Sequence, residues 1–196
     1  MEIGSHNSWT FLTPRRWWQR LLSFTARCQR VDIATQYELW GVRCFDLRIR
    51  FDKDGRMVVA HGMFEYDINE ARLLADLRYI NNRGDCWVRV LNEVRTQRSH
   101  TQQETACFQQ FCMQLARDFT CISFWCGRNL ADWGIDYSFV TERNPEPTCL
   151  EQYASVCPPK WIDDWWPWFF SVRKNYEIIQ RGTARDILLI DFVDIR

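Results

Sequence analysis

Neither sign of charge is in excess in this sequence: 25 Lys and Arg face 25 Asp and Glu over 196 residues. A general nucleic-acid binder needs a basic surplus, so the balance argues against nucleic acid as a partner. No uninterrupted apolar stretch is long enough to span a bilayer. No basic patch followed by an apolar run opens the chain, so no signal peptide is visible. As it stands the sequence points to a cytoplasmic protein, and to a secreted one if a native leader is missing. There is no internal repeat, no low-complexity segment and no C-x-x-C pair among nine cysteines. Cys107, Cys112, Cys121 and Cys126 lie close together but have only His100 nearby, which is poor material for a zinc cluster. Nine is an odd count, and buried free thiols in a reducing compartment are the simplest reading. Histidine is scarce, with three in the chain.

What is present is enough for a core. Hydrophobic residues make up 46% of the chain and aromatics 15%, and the length suits one domain over residues 1–196. Periodicity predicts helices that start at Thr13-Pro14, run from Asp32 to Trp40, begin at a cap on Asp67, and cover 102–118 and 168–181. The helix after Asp67 is expected to carry Ile68, Ala71, Leu74, Leu77 and Asn81 on one side, and the last one to form on Phe169, Val172, Tyr176 and Ile179. Strands are expected at Cys86–Val94, Cys121–Trp125, Tyr137–Thr141 and Ile187–Val193, with a loop at Asn144–Pro147. Strands alternating with helices imply an α/β fold with a mainly parallel sheet.

The chemistry concentrates between Gly41 and Gly62. Phe45, Leu47, Ile49 and Phe51 alternate with Cys44, Asp46, Arg48 and Arg50, a period of two. Asp52-Lys53-Asp54-Gly55 is turn chemistry, and Met57 to His61 is a short return strand. Closing the turn with Phe51 opposite Arg56 puts His61 opposite Asp46, with Arg48 in diagonal reach. A carboxylate, a guanidinium and an imidazole then meet at one spot. Near the start, His6 follows a very short apolar run and precedes Asn7-Ser8-Trp9-Thr10. Two histidines suit phosphodiester cleavage as base and acid, and an arginine suits the charge that builds on phosphorus.

Gly4-Ser-His-Asn-Ser8, then Gly41-Val-Arg-Cys-Phe-Asp-Leu-Arg48, then Val58-Val-Ala-His-Gly62 resembles the X domain of phosphatidylinositol-specific phospholipase C in its bacterial, metal-independent form. The match is strongest over residues 3–62. Ile187 to Val193 resembles the family's closing strand with its aspartate, Asp191, and Leu150-Glu-Gln-Tyr153 faintly resembles a Gln-Asp-x-Tyr segment. The resemblance implies an irregular (β/α) TIM-type barrel, here short and with some outer helices missing, whose site lies at the C-terminal strand ends. It implies His6 as general base, His61 as general acid, Arg48 as phosphate clamp, Asp46 orienting Arg48 or a substrate hydroxyl, and Asp191 fixing the His6 tautomer. Asn7, Arg89, Glu93 and Tyr137 are the substrate-binding candidates. Bacterial relatives have aspartate at the position of Asn7, and lysine near Asn92 and Glu93, where Arg89 or Arg95 can stand in. Calcium-dependent relatives have a carboxylate where Arg48 stands, so no metal and no cofactor is expected.

The expected activity is a lyase-type cleavage of inositol phospholipid or glycosyl-inositol headgroups by attack of the inositol 2-hydroxyl. The expected partner is a phospholipid at a membrane surface, met by a monomer. A glycerophosphodiester phosphodiesterase of the same superfamily is one alternative. A catalytically inactive headgroup-binding module is another. The segment Trp161 to Phe170, rich in indoles and broken by Pro167, reads equally as core cover or as a membrane-facing rim.

Overall fold

The computed structural model describes residues 1–52, 54–93, 100–129, 150–182 and 187–195. The expected strand at Tyr137–Thr141, the loop at Asn144–Pro147 and Arg95 lie outside the described residues. Within them the elements are β1 (Glu2–Ser5), α1 (Trp17–Leu21), α2 (Ile33–Glu38), β2 (Val42–Phe51), β3 (Met57–His61), β4 (Phe64–Tyr66), α3 (Glu70–Asn81), β5 (Cys86–Glu93), α4 (Gln102–Asp118), β6 (Ile122–Asn129), β7 (Leu150–Gln152), α5 (Tyr153–Val156), α6 (Trp161–Asp164), α7 (Pro167–Arg181) and β8 (Ile187–Ile190).

Six strands run parallel in the order β7-β8-β1-β2-β5-β6, and the β3–β4 hairpin continues antiparallel from the far end of β2. Among the described residues no pairing joins β6 to β7, so the sheet is open there. The architecture is mixed α/β, as the alternation of periods predicts, and a closed barrel is not seen.

β2 carries the period of two in three dimensions. Phe45, Leu47, Ile49 and Phe51 enter the main apolar core with Leu73 and Leu77 of α3 and Phe108, Phe111 and Leu115 of α4. Each such side chain, fully buried, contributes about 1.5–3 kcal/mol of transfer free energy. The other face turns Asp46, Arg48 and Arg50 inward beside Arg89 and Glu93 of β5, and all five are buried. Next door, β1 is squeezed between β2 and β8. A Cβ on Gly4 would lie 2.4 Å from Leu189 Cδ2, which is why a residue without a side chain precedes Ser5 and His6.

The caps agree in part with expectation. Asp32 Oδ1 accepts from Thr35 N at 2.8 Å, and the helix it opens gives way to Gly41 at φ +63. α4 spans its predicted range, closed at its start by a reciprocal Thr101–Glu104 box. α3 is capped by Asn69, not Asp67, and buries Leu73, Leu77 and Ile80. The buried stripe is centred on Leu73, Leu77 and Ile80, with Leu74 packed at its margin and Ala71 exposed. Pro14 does not begin a helix either. It forms an isolated bridge with Tyr66, and α1 starts at Trp17. No helix among the described residues is long and apolar enough to cross a membrane.

Candidate active site

The C-terminal ends of the parallel strands deliver the chemistry, as is usual for such sheets. His6 follows β1, Arg48 sits near the end of β2, Glu93 ends β5, Tyr153 follows β7 and Asp191 follows β8. His61 ends β3 and comes in from the side.

His6 Nδ1 lies 2.7 Å from Asp191 Oδ1, so this nitrogen donates to the carboxylate. The other nitrogen is thereby left with its lone pair, and His6 Nε2 accepts from Arg48 Nη2 at 2.6 Å. Arg48 Nε donates to Asp46 Oδ2 at 3.0 Å, and Arg48 Nη1 lies 3.6 Å from Glu93 Oε2. Arg89 Nε donates to the other Asp46 oxygen at 2.8 Å. Burial alone raises a carboxyl pKa, but Arg48 and Arg89 outweigh it and hold Asp46 well below the ordinary range. The same carboxylate holds the Arg48 guanidinium, against the effect of burial, above its usual value. The result is a fixed charge relay of shape, with every member buried.

His61 is held differently. Its Nδ1 donates to the Ala26 carbonyl at 2.8 Å, which turns Nε2 away from that carbonyl. Its ring centroid is 6.0 Å from that of His6, at a near-perpendicular angle. Burial first, and the positive charge of Arg48 second, hold the His61 pKa below that of an ordinary histidine. The loop behind it is clamped on both sides. Gly62 N donates to Glu93 Oε1 at 2.9 Å, and Arg50 Nη1 donates to the Gly62 carbonyl at 2.7 Å.

His61 reaches this place by a register other than the one expected. β2 pairs Phe51 with Met57, not with Arg56. The cause is the turn: Asp52 N donates to the Arg56 carbonyl, and the Asp52 carboxylate accepts from Asp54 N and Arg56 N, which spends Arg56 on closing the loop. That slip takes His61 off the position opposite Asp46. β3 stops pairing with β2 at Val59, however, and pairs His61 with Phe64 of β4 instead. The imidazole therefore approaches over the rim of the sheet rather than across it.

A cavity of about 330 Å³ opens over the two histidines, lined also by Cys28, Asp191, Tyr153, Asp163 and Met63. Of the other candidates, Asn7, like Arg48 and Asp46, is not on the wall of this cavity. Its backbone is at φ +48, its N–H is spent on Asp46 Oδ2, and its amide nitrogen is 3.9 Å from Cys28 Sγ. Arg89 and Glu93 are likewise not on the cavity wall. Arg89 bonds Asp46, and Glu93 meets Arg48 and the Gly62 amide, so both act here as supports. Tyr137 lies outside the described residues. His100 is not merely solvated, since its Nε2 donates to the Asn92 carbonyl at 2.9 Å.

Sequence reasoning missed Cys28, Ala26 and Gln29. Gln29 Nε2 donates to the His6 and Ile190 carbonyls, each at 3.0 Å, and so ties β1 to β8 at the site. A loop that acts through a carbonyl and an amide leaves no periodic signal. Tyr153, whose ring is 5.6 Å from His6, had a signal in the Gln152-Tyr153 pair.

The mouth of the cavity is apolar. Trp165 is 64% exposed and Trp166 47%, and Trp161, Trp168 and Phe169 are exposed beside them. Leu21, Leu22 and Phe24 are exposed as well, and the Phe24 and Trp166 rings lie 6.0 Å apart.

No protein-family model and no curated protein sequence matches the chain. Solved structures do. Phosphatidylinositol-specific phospholipase C from Listeria monocytogenes aligns at a TM-score of 0.62 and 12% identity, over 97% of this chain and 87% of that one. A variant of the phosphatidylinositol-specific phospholipase C from Staphylococcus aureus aligns at 0.60 and 17% identity, over 97% and 84%. Another structure of the S. aureus enzyme, concerned with modulation of its membrane binding, aligns at 0.58 and 15% identity, over 97% and 85%. The chain thus shares the fold of these bacterial phospholipases.

Proposed function

We propose that the protein is a phosphodiester-cleaving lyase acting on inositol phospholipids or glycosyl-inositol headgroups. The observation that carries this reading is the position of His6, held between Asp191 and Arg48 with a second imidazole across a cavity. Arg48 Nη2, which rests on His6 Nε2, moves to the phosphate and frees that nitrogen to take the proton of the inositol 2-hydroxyl, whose oxygen attacks phosphorus. The bond to the glycerol oxygen breaks, and His61 supplies the proton that the departing oxygen needs. Arg48 spreads the charge gathering on the phosphoryl oxygens, and Asp46 fixes the plane in which it does so. The products are a cyclic inositol phosphodiester and diacylglycerol. In this reading the six parallel strands are the described part of a (β/α) barrel.

Arg48 does the work that a calcium ion does in a metal-dependent site. Phosphorus NMR of the products from phosphatidylinositol vesicles, with chelator present, is expected to show a cyclic phosphate formed at the chelator-free rate. Loss of activity in chelator, restored by calcium, would replace this reading by a metal-dependent phosphodiesterase.

The apolar mouth belongs to the same reading. Indoles favour the membrane–water boundary, and an enzyme of membrane lipid needs such a rim. Trp165→Ala is expected to leave the melting temperature nearly unchanged, to weaken vesicle binding, and to spare turnover of a soluble inositol phosphodiester. A lowered melting temperature with unchanged vesicle binding would make the segment core cover.

A further inference from the structure

Cys28 is a buried nucleophilic group for which the proposed reaction has no use. Its Sγ lies 3.8 Å from His61 Nδ1 and 3.9 Å from Asn7 Nδ2, and it donates to the Ala26 carbonyl at 3.7 Å. One ligand atom each from His6, Cys28 and Asp191 fall within 4.8 Å of one another, and all three residues are buried and line the cavity. An imidazole nitrogen, a sulfur and a carboxylate oxygen form a donor set that suits zinc and similar soft divalent ions. It is a poor set for calcium, which takes six to eight oxygens. Three protein ligands facing a cavity also leave the fourth tetrahedral position to water.

We propose that His6, Cys28 and Asp191 form an inhibitory site for zinc or a similar soft divalent cation, which silences the protein by occupying the base.

Donor softness, not charge, favours this ion over calcium, because Arg48 repels both alike. Binding expels the thiol proton to solvent and forms one bond each to sulfur, nitrogen and oxygen, with nothing oxidised or reduced. The neutral imidazole binds through Nδ1 and carries its one proton on Nε2, so Arg48 Nη2, which donates to that nitrogen in the metal-free site, must turn away from it. A thiolate and a carboxylate then cancel the two charges of the ion, so the loaded site presents no net charge to Arg48. Arg48 for its part is met by Asp46 and Glu93. The ion cannot share His6 and Asp191 with the hydrogen bond that now joins them, and the general base loses its orientation. Binding rests on these residues alone, and inhibition rests also on the proposed function.

The experiment is a calorimetric titration of the full chain with zinc chloride, paired with a cobalt titration followed by absorption. The expected result is one ion per chain and a thiolate-to-cobalt charge-transfer band. Cys28→Ala should remove the band and weaken zinc binding by more than about a hundredfold, since even outer partners of a metal site are worth 10–100-fold. Cys121→Ser, at an exposed thiol, should change neither. X-ray absorption of the zinc-loaded wild type needs no variant and should show one sulfur at about 2.3 Å among nitrogen and oxygen ligands. A zinc shell without sulfur, or unaltered binding in a folded Cys28→Ala, overturns the site. Rates normalised to each variant's own zinc-free rate should show zinc inhibition in wild type and not in Cys28→Ala. Zinc bound through Cys28 in a protein that turns over no inositol lipid without zinc would leave the metal site standing and remove the catalytic reading.

Discussion

Replacing either His6 or His61 by alanine is expected to lower turnover of phosphatidylinositol by about two to four orders of magnitude, the usual worth of a positioned proton transfer. The two losses have different origins. Without His6 the substrate hydroxyl keeps its proton, and Asp191 and Arg48 lose the ring between them. Without His61 the departing oxygen must leave as an alkoxide. The pH profile separates the two roles. His61 is held below the ordinary histidine pKa, so in the free protein it sheds its proton early as pH rises. An acid that must be protonated then limits kcat/KM on the alkaline side, beginning below the ordinary value of about 6.5. A bound phosphodiester anion favours the imidazolium, so the same limb in kcat should lie at higher pH. Coincident limbs, or near-normal turnover in either folded variant, would sink the assignment. His100→Ala serves as the control, since its ring bonds a carbonyl away from the cavity.

Asp46→Asn is expected to cost about 3–5 kcal/mol of stability, the range for removing one partner of a buried ion pair. Asp46 is fully buried and bridges two buried guanidinium groups, Arg48 and Arg89. The neutral amide leaves both positive charges in place without the carboxylate between them. Urea unfolding at neutral pH measures the loss. Acid gives the sign independently. The folded-state pKa of Asp46 is depressed, so its contribution is complete above the unfolded value of about 3.9 and is lost as pH falls through the folded value. The gap in stability between wild type and variant should therefore be widest near neutrality and narrow in strong acid. A gap under about 1 kcal/mol would mean that Glu93 and its neighbours carry Arg48 without help.

Much of this arrangement was legible in the residues, and the failures have physical causes. The two-residue period of β2 survived because both of its faces meet something specific, helices on one side and charges on the other. His6, His61, Arg48, Asp46 and Asp191 do converge, although His61 arrives by a register other than the one counted from the turn. One carboxylate in a turn, Asp52, decided that register, and local turn chemistry outranked residue counting. The helix α7 misled in another way. Its apolar stripe of Phe169, Val172 and Tyr176 faces outward, and Tyr176 is 71% exposed. The buried face instead places Ser171 and Asn175 among Phe170 and Ile178. Asn175 Nδ2 donates to the carbonyls of Asp191, Phe192 and Ile195, so a polar residue earns an interior place by satisfying a turn that hydrophobic periodicity cannot register. The same swap supplies the outward apolar stripe beside the indoles at the mouth. Substrate contacts were the least legible part. Arg89 and Glu93 stand near a lysine position of the bacterial family the sequence resembles, and position along a strand does not distinguish a ligand from the strut that supports one.

His6 and Asp191 are separated by 185 positions in sequence yet share a hydrogen bond, because β1 pairs with both β2 and β8. During synthesis β1 and β2 can pair early, while the other edge of β1 waits for a strand made more than 180 residues later. That exposed edge is a hazard on the ribosome, since an unpaired strand recruits whatever extended chain it meets. It is also a safeguard. The imidazole emerges long before the carboxylate that selects its tautomer, so any chemistry that needs an oriented His6 waits for Asp191.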